Sequence, residues 1–409
     1  MADIRDPIHG FIDISALSSV LDSRAMQRLR RIRQLARADL VYPGLMHSRF
    51  EHSIGVMHVA QEMAGRLDLP APEENVLRAA ALLHDVGHGP FSHVFEGVTD
   101  YNHQEVTQKI ILEDPEINSA LGKAGMSPED VIKVFNEDSI LHYIISSPLD
   151  ADKIDYLQRD SYHTRVAYGV FDYELLLHTL CKIKDPRGEY LGLREKGAQN
   201  ALSFVLARHL MHIQVYHHQV RRITDKMLQR AIEQARLDGI LPAELFNINS
   251  NGFLECYLAY DDEKICHQAM SRNGFSKDLF TDIQNRRLFK NAFQLPIDET
   301  LDARKRGRLA KLGDDKASVS YLERQIAEVS GIDPRQIIIE VLTEKNPLSH
   351  HMSDENEIMI QKDDGTVQYL SEVLPFQSTK PITMDLLVMC PGAYRETVGK
   401  AAKEVIAAF

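Results

Sequence analysis

Leu82-Leu83-His84-Asp85-Val86-Gly87-His88-Gly89-Pro90-Phe91-Ser92-His93 places three histidines and a carboxylate at the end of an apolar helix. Upstream, Val76 to Leu83 is almost wholly Ala and Leu and follows Pro72-Glu73-Glu74, which predicts a helix buried on most of its sides. Hiding His84 and Asp85 there without partners costs several kcal/mol, because an unpaired polar or charged group gives up its water. A bound metal ion satisfies both at once. Gly87, Gly89 and Pro90 then end the helix and let the backbone turn closely beside whatever the pair holds. Taken alone, an adjacent His-Asp pair reads first as a hydrogen-bonded core couple.

Two further stretches change that reading. Arg49-Phe50-Glu51-His52-Ser53-Ile54-Gly55-Val56 opens another amphipathic helix with a histidine in its first turn, and Asp150-Ala151-Asp152-Lys153-Ile154-Asp155-Tyr156 opens a third with a carboxylate. His52, His84, Asp85 and Asp152 supply two imidazoles and two carboxylates from three helices, a set suited to a borderline or hard divalent ion. No thiolate is offered, which excludes a closed structural zinc site of the cysteine kind.

With these residues the chain resembles the HD-domain phosphohydrolases, whose pattern is H, then HD, then D. More narrowly it is similar to the deoxynucleoside triphosphate triphosphohydrolases of the SAM-and-HD-domain type, here in a form expected to lack the SAM domain. The motifs that carry the resemblance run from Asp6-Pro7-Ile8-His9-Gly10 to about Val220. They are Gln27-Arg28-Leu29-Arg30, Ser48-Arg49-Phe50-Glu51-His52-Ser53, His84-Asp85 with the following Gly-His-Gly-Pro-Phe-Ser-His, and Asp152-Lys153 with Asp155-Tyr156.

The resemblance implies a mainly α fold, an HD-domain helical core with a smaller C-terminal α+β lobe. It implies iron, manganese, zinc or nickel on His52, His84, Asp85 and Asp152, with magnesium accompanying a deoxynucleoside triphosphate. General catalysis falls to His93, His103 and Glu96. The triphosphate needs clustered cations, and Arg49, Lys153, Arg208 and His88 are placed to supply them. Gln34, Leu35, Tyr156, Asp160, His212 and Tyr216 match positions that meet the sugar and phosphates. Asp22, Gln27, Arg30, Arg194 and Lys196 match a site for an activating guanine nucleotide between subunits of a homotetramer. Arg5, Leu175 and Gln219 depart from that pattern, standing where the family has asparagine, arginine and lysine. Other phosphoesters (a nucleoside monophosphate, cyclic nucleotide or alarmone) and a nucleotide-sensing or nucleic-acid-binding module are the competing functions.

Composition narrows these. A net charge of -12 argues against a nucleic-acid coating surface, which needs a basic face, but leaves room for an anionic small substrate in a local positive pocket. Cys181, Cys256, Cys266 and Cys390 are widely spaced and form no ligand pattern, as expected of reduced thiols in a cytoplasmic protein. Met1 to Arg5 lacks an apolar signal core, and no run is long enough to span a bilayer.

In chain order, Met1 to Ile14 predicts a short strand or hairpin. From Asp22, the spacing of Met26, Leu29, Ile32 and Leu35 predicts a helix whose other faces crowd with arginines. Helical periodicity from Ile110 to Ile145 breaks at Pro115, Gly125 and Pro128 and carries no evident chemistry. Lys182 to Arg194 reads as a hairpin around Pro186-Arg187-Gly188. Lys196 to Gln229 reads as one long helix, with Arg208, His212 and Tyr216 spaced by four along one face. A boundary near Phe280 separates a helical core, 1–280, from a lobe, 281–409, expected to form oligomer contacts. Its strands are expected at Gln336–Leu342, Glu357–Gln361 and Ile382–Val388, and its helices at Ser318–Val329 and Thr397–Phe409.

Overall fold

Ser48 and Glu51 form a capping box that starts the helix Arg49–Arg66, and its apolar positions from Phe50 to Met63 lie in the core. In the computed structural model, which describes residues 2–185, 188–344, 357–374 and 383–409, this helix is the central element. The helices Ala71–Leu83 and Ala151–Thr164 pack on it. The close approach of the second depends on Gly55: a Cβ there would collide with the carboxylate of Asp155 and the guanidinium of Arg159. The chain is mainly helical, as expected. No helix among the described residues is long and apolar enough to cross a membrane.

The proline breaks fall where the sequence puts them. Helices His103–Glu113, Pro115–Lys123, Pro128–Asn136 and Ile140–Ile145 follow one another, each started by a side-chain cap, Asn102, Asp114, Ser127 and Ser139 respectively. The N-terminal hairpin is also present. Strand β1 (Asp3–Asp6) pairs antiparallel with β2 (Gly10–Asp13) across a turn at which Gly10 takes a positive φ of 76°.

Two expected helices differ. Only Arg24–Arg28 of the Asp22 to Arg37 stretch is α-helical. A 3-10 turn follows over Leu29–Arg31, and Ile32 is extended, so that its carbonyl accepts from Arg49 N and Arg33 pairs with Ser48. Met26, Leu29 and Ile32 are still buried, because the tighter turn presents the same apolar residues to the core. The long helix from Lys196 is likewise interrupted. It runs over Ala198–Met211, widens into a π turn at His212–Tyr216, and resumes as Gln219–Leu237.

Strands β3 (Leu180–Asp185) and β4 (Gly188–Arg194) form the expected hairpin, its turn residues Pro186 and Arg187 lying outside the described residues. The sheet continues through β7 (Met359–Gln361), parallel to β4, and β8 (Val367–Tyr369). A separate antiparallel sheet, in the order β5 (Lys290–Pro296), β9 (Thr383–Cys390), β6 (Ile338–Glu344), carries helices Lys316–Ser330 and Arg395–Ala408. Ile382, where β9 was expected to begin, lies outside the described residues. The apolar faces of this unit form a second core, which includes Leu322, Ile326, Val388 and Val398.

Candidate active site and metal centre

Three helix ends meet at one point. His52 comes from the first turn of Arg49–Arg66, and His84-Asp85 from the end of Ala71–Leu83. Asp152 is the second residue of Ala151–Thr164, whose start is capped by Asp150. His52 Nε2 stands 3.0 Å from Asp152 Oδ1 and 3.6 Å from Asp85 Oδ2. His84 Nε2 stands 3.4 Å from Asp85 Oδ1 and 3.8 Å from Asp152 Oδ1. Ligand atoms around one first-row ion at about 2.1 Å sit roughly 3–3.5 Å from each other; those of His52, His84 and Asp152 all lie within 4.8 Å of one another, a spacing that suits a shared cation, with Asp85 beside them and its Oδ2 on Arg49.

The tautomer of His84 agrees with that. His84 Nδ1 donates to the Ala81 carbonyl (2.8 Å), which leaves Nε2 as a lone pair. That buried nitrogen has no hydrogen-bond partner, as a metal ligand without its metal would have none. Burial alone would lower the pKa of His52, but hydrogen bonds to Asp152 and Asp155 outweigh it and raise it to about 10. Burial works against ionisation of Asp152 too, yet His52 and His84 hold it at about 2. Asp85 is held well below the carboxylate range by Arg49 and its histidine neighbours, against its burial. Asp85 and Asp152 stay ionised here and draw a proton onto His52, a charge that a divalent ion would replace.

Asp85 joins this centre to a second cluster. His88 Nε2 lies 3.3 Å from Asp85 Oδ1, and His88 stacks on His103 with ring centroids 3.9 Å apart. Glu96 Oε1 accepts from His103 Nδ1 (2.8 Å) and His93 Nδ1 (3.0 Å). Burial opposes ionisation of Glu96, but these two bonds dominate and hold its carboxyl well below the usual range. His88, by contrast, is kept neutral by burial and by Arg49. It therefore offers hydrogen bonds and not the cationic charge that its place in the sequence suggested.

The loop that carries these histidines is strained. Phe91 and Ser92 both take positive φ, 60° and 56°. Asp262 steadies it, accepting from Phe91 N at 2.6 Å and Arg33 N at 3.0 Å. Burial pushes the Asp262 carboxyl up to about 7. A folded pKa above the unfolded value means that the native state binds the extra proton, so this group's contribution to stability is complete below about pH 4 and is lost as pH rises through 7. Urea midpoints of wild type and Asp262→Asn, compared at pH 5 and 7.5, are expected to show the wild type losing ground to the variant at the higher pH, by an amount on the order of a few kcal/mol.

Both clusters open into a cavity of about 870 Å³. At its far wall Tyr216 Oη donates to Asp160 Oδ2 (2.7 Å), and Asp160 Oδ1 is held by His47 Nε2 (2.8 Å). Gln34, Leu35, Tyr156 and His212 also line it. Burial and Arg208 lower the His212 pKa to about 3, so it is neutral.

Two of the predicted cations line the cavity and are already paired with carboxylates. Arg49 lines the cavity but is bonded to Asp85 at 2.5 Å, and Lys153 to Asp150 at 2.6 Å. Arg208 does not line the cavity, because the π turn ends the stripe of four-residue spacing beyond it. Arg221 and Arg222 do line it, one over the Tyr216 ring, the other paired with Glu340 of β6. Phe135, His142 and Ile145 line it as well, so the middle stretch that showed no chemistry forms a wall of the site.

The expected activator residues fall into two groups. Arg30 donates to Gln27 Oε1 (2.8 Å) and covers the Phe50 ring, with Asp22 exposed nearby in the chain. Arg194 ends β4, Lys196 follows it, and both are exposed. No hydrogen bond or ion pair joins the two groups among the described residues. Arg159 and Asp262 go unmarked in the sequence, and His9 and Asp155 stand there only as motif residues without a role, because each matters through a partner more than 90 residues away.

His, His-Asp and Asp converging from three helices on one buried point, beside a histidine–carboxylate cluster in a shared cavity, define a hydrolase of the HD class. The HD domain family matches residues 49–160, and the HD associated region matches residues 171–408. The chain belongs to the HD-domain family. It is 30% identical over 391 residues to the protein YwfO of Bacillus subtilis, covering 90% of this chain and 86% of that one. It is 28% identical over 358 residues to deoxynucleoside triphosphate triphosphohydrolase SAMHD1 of Danio rerio, an alignment that covers 74% of this chain and 57% of that protein. The crystal structure of a phosphohydrolase from Bacteroides thetaiotaomicron superposes with a TM-score of 0.76 at 25% identity, covering 95% of this chain and 99% of that one.

Proposed function

We propose that this protein hydrolyses deoxynucleoside triphosphates to deoxynucleoside and inorganic triphosphate. The observation that supports it best is the adjacency of the two clusters. Asp85 Oδ1 lies 3.4 Å from His84 Nε2 and 3.3 Å from His88 Nε2, in one cavity that Tyr216 and Asp160 also line. His52, His84, Asp85 and Asp152 would hold a divalent ion, which would lower the pKa of water and polarise a phosphoryl oxygen. Water attacks the α-phosphorus, and the bond to the sugar 5′-oxygen breaks. That alkoxide is a poor leaving group and takes a proton from His93 or His103, with Glu96 orienting the rings. Arg49 and Arg221 meet the triphosphate with its magnesium, His88 donates a hydrogen bond, and Lys153 and Arg208 add longer-range positive charge.

Tyr156, Asp160 and Gln34 receive the sugar, while His212, Tyr216 and Leu35 leave little room beside C2′. An apolar wall alone discriminates weakly against an added hydroxyl, so the pinning of Tyr216 by Asp160 is what makes the exclusion firm. Tyr216→Ala is therefore expected to narrow the preference for deoxy- over ribonucleotides by about 10-fold or more in kcat/KM. An unchanged ratio would remove Tyr216 from that role. An activating guanine nucleotide at Asp22, Gln27, Arg30, Arg194 and Lys196, within a cytoplasmic homotetramer assembled partly by the C-terminal lobe, completes the proposal.

Incubation of purified protein with each nucleotide and several divalent ions, with products separated by chromatography, tests the reading. Inorganic triphosphate with deoxynucleoside supports it. Another phosphorylated product would point to a different phosphoester, and binding without turnover to a nucleotide sensor.

A further inference from the structure

The N-terminal hairpin reaches the metal centre through buried side chains that none of the assigned roles uses. Asp6 Oδ1 accepts from Ile8 N (2.8 Å) and His9 N (2.9 Å), closing the turn between β1 and β2 and aiming the His9 ring inward. His9 Nε2 meets Asp155 Oδ1 at 2.7 Å, and Asp155 Oδ2 meets His52 Nδ1 at 2.7 Å. Arg159 grips the same carboxylate from Nε (2.9 Å) and Nη2 (2.8 Å) and sends Nη1 back to Asp6 Oδ2 (2.8 Å). The side chains of Asp155 and Arg159 are wholly buried, and that of His9 is 3% exposed. With donors on both oxygens, Asp155 has no freedom to rotate away.

We propose that His9 and Asp155 are positioning residues for the metal centre, holding His52 with its proton on Nδ1 and its Nε2 turned to the ion, so that seating of the hairpin and ion affinity are coupled. The inference rests on the reading of His52 as a ligand. A carboxylate behind a ligand histidine fixes the tautomer and the ring plane, and its loss typically weakens metal binding by about 10–100-fold. Asp6, Asp155 and Arg159 together carry one net negative charge, which favours a cation beyond the imidazole. Thermodynamic linkage makes the coupling reciprocal: an ion that needs His52 held in place holds the hairpin in return.

The test uses the full-length chain stripped of metal with a chelator and titrated with Mn²⁺ alone by calorimetry. Asp155→Asn is expected to bind about 10–100-fold more weakly than wild type. His9→Phe, which keeps a ring but loses the donor, is expected to lose about 10-fold. His9→Gln, whose side-chain amide reaches to the same point, is expected to stay within about 3-fold. Amide hydrogen exchange of residues 3–13 in wild type is expected to slow when Mn²⁺ binds. The relay is wrong if His9→Phe binds Mn²⁺ as wild type does, if His9→Gln and His9→Phe lose affinity equally, or if hairpin exchange in wild type ignores the ion. The exchange result needs no variant and stands even if one fails to fold. Wild type that binds no Mn²⁺ while other ions support turnover refutes the relay as stated, and wild type that binds no divalent ion refutes the ligand assignment beneath it.

Discussion

Asp152→Ala loses bound metal and turnover together, with kcat falling by about 10³-fold or more, while the fold survives. The size follows from removing one of the four proposed ligands, since polarisation of the reacting phosphoryl group is worth several kcal/mol and each 1.36 kcal/mol is about tenfold in rate. Survival of the fold follows from position: the Asp152 side chain is one-third exposed and no guanidinium depends on it. Asp85→Ala should lose metal and turnover as fully but should also destabilise the protein. Asp85 holds the Arg49 guanidinium, which is 5% exposed, and stripping one partner from a buried pair costs about 3–5 kcal/mol. Metal content, kcat and urea midpoint measured on both variants separate the two effects. Metal-free Asp152→Ala with undiminished turnover would contradict the ligand assignment.

The second large effect belongs to the histidine–carboxylate cluster. His103→Gln is expected to keep its metal and lose about 10²–10⁴-fold in kcat, the usual range for a general acid. KM should change little if the ring acts only as the leaving oxygen departs. Because Glu96 Oε1 binds both His93 and His103, the three should behave as one device. Adding Glu96→Gln to His103→Gln should cost far less than the product of the single losses. Multiplicative losses would show that the residues act separately.

The candidate metal centre drew notice in the sequence because its signals are local. An Ala- and Leu-rich helix ending in His84-Asp85 announces buried polar groups that need partners, and the helix starts that carry His52 and Asp152 offer them. The proline breaks were legible for the same reason, since Pro115 and Pro128 each sit at a first helical position. What was not legible depends on distance in sequence or on backbone irregularity. Nothing near His9 announces that its ring meets Asp155, nor anything near Phe91 that Asp262 holds its amide. The four-residue spacing of Arg208, His212 and Tyr216 promised a single helical stripe, but the helix widens into a π turn at His212–Tyr216, and the arginines that line the cavity there are Arg221 and Arg222. Likewise β6 reads as an ordinary strand of a separate lobe, yet Glu340 and Leu342 face the cavity.

Anomalous diffraction from a crystal grown with Mn²⁺, recorded on either side of the manganese absorption edge, asks the question most directly. One peak about 2.0–2.3 Å from His52 Nε2, His84 Nε2 and carboxylate oxygens of Asp85 and Asp152 is the predicted result. A fully occupied peak ligated elsewhere, with these four side chains bonded only to each other, would contradict it.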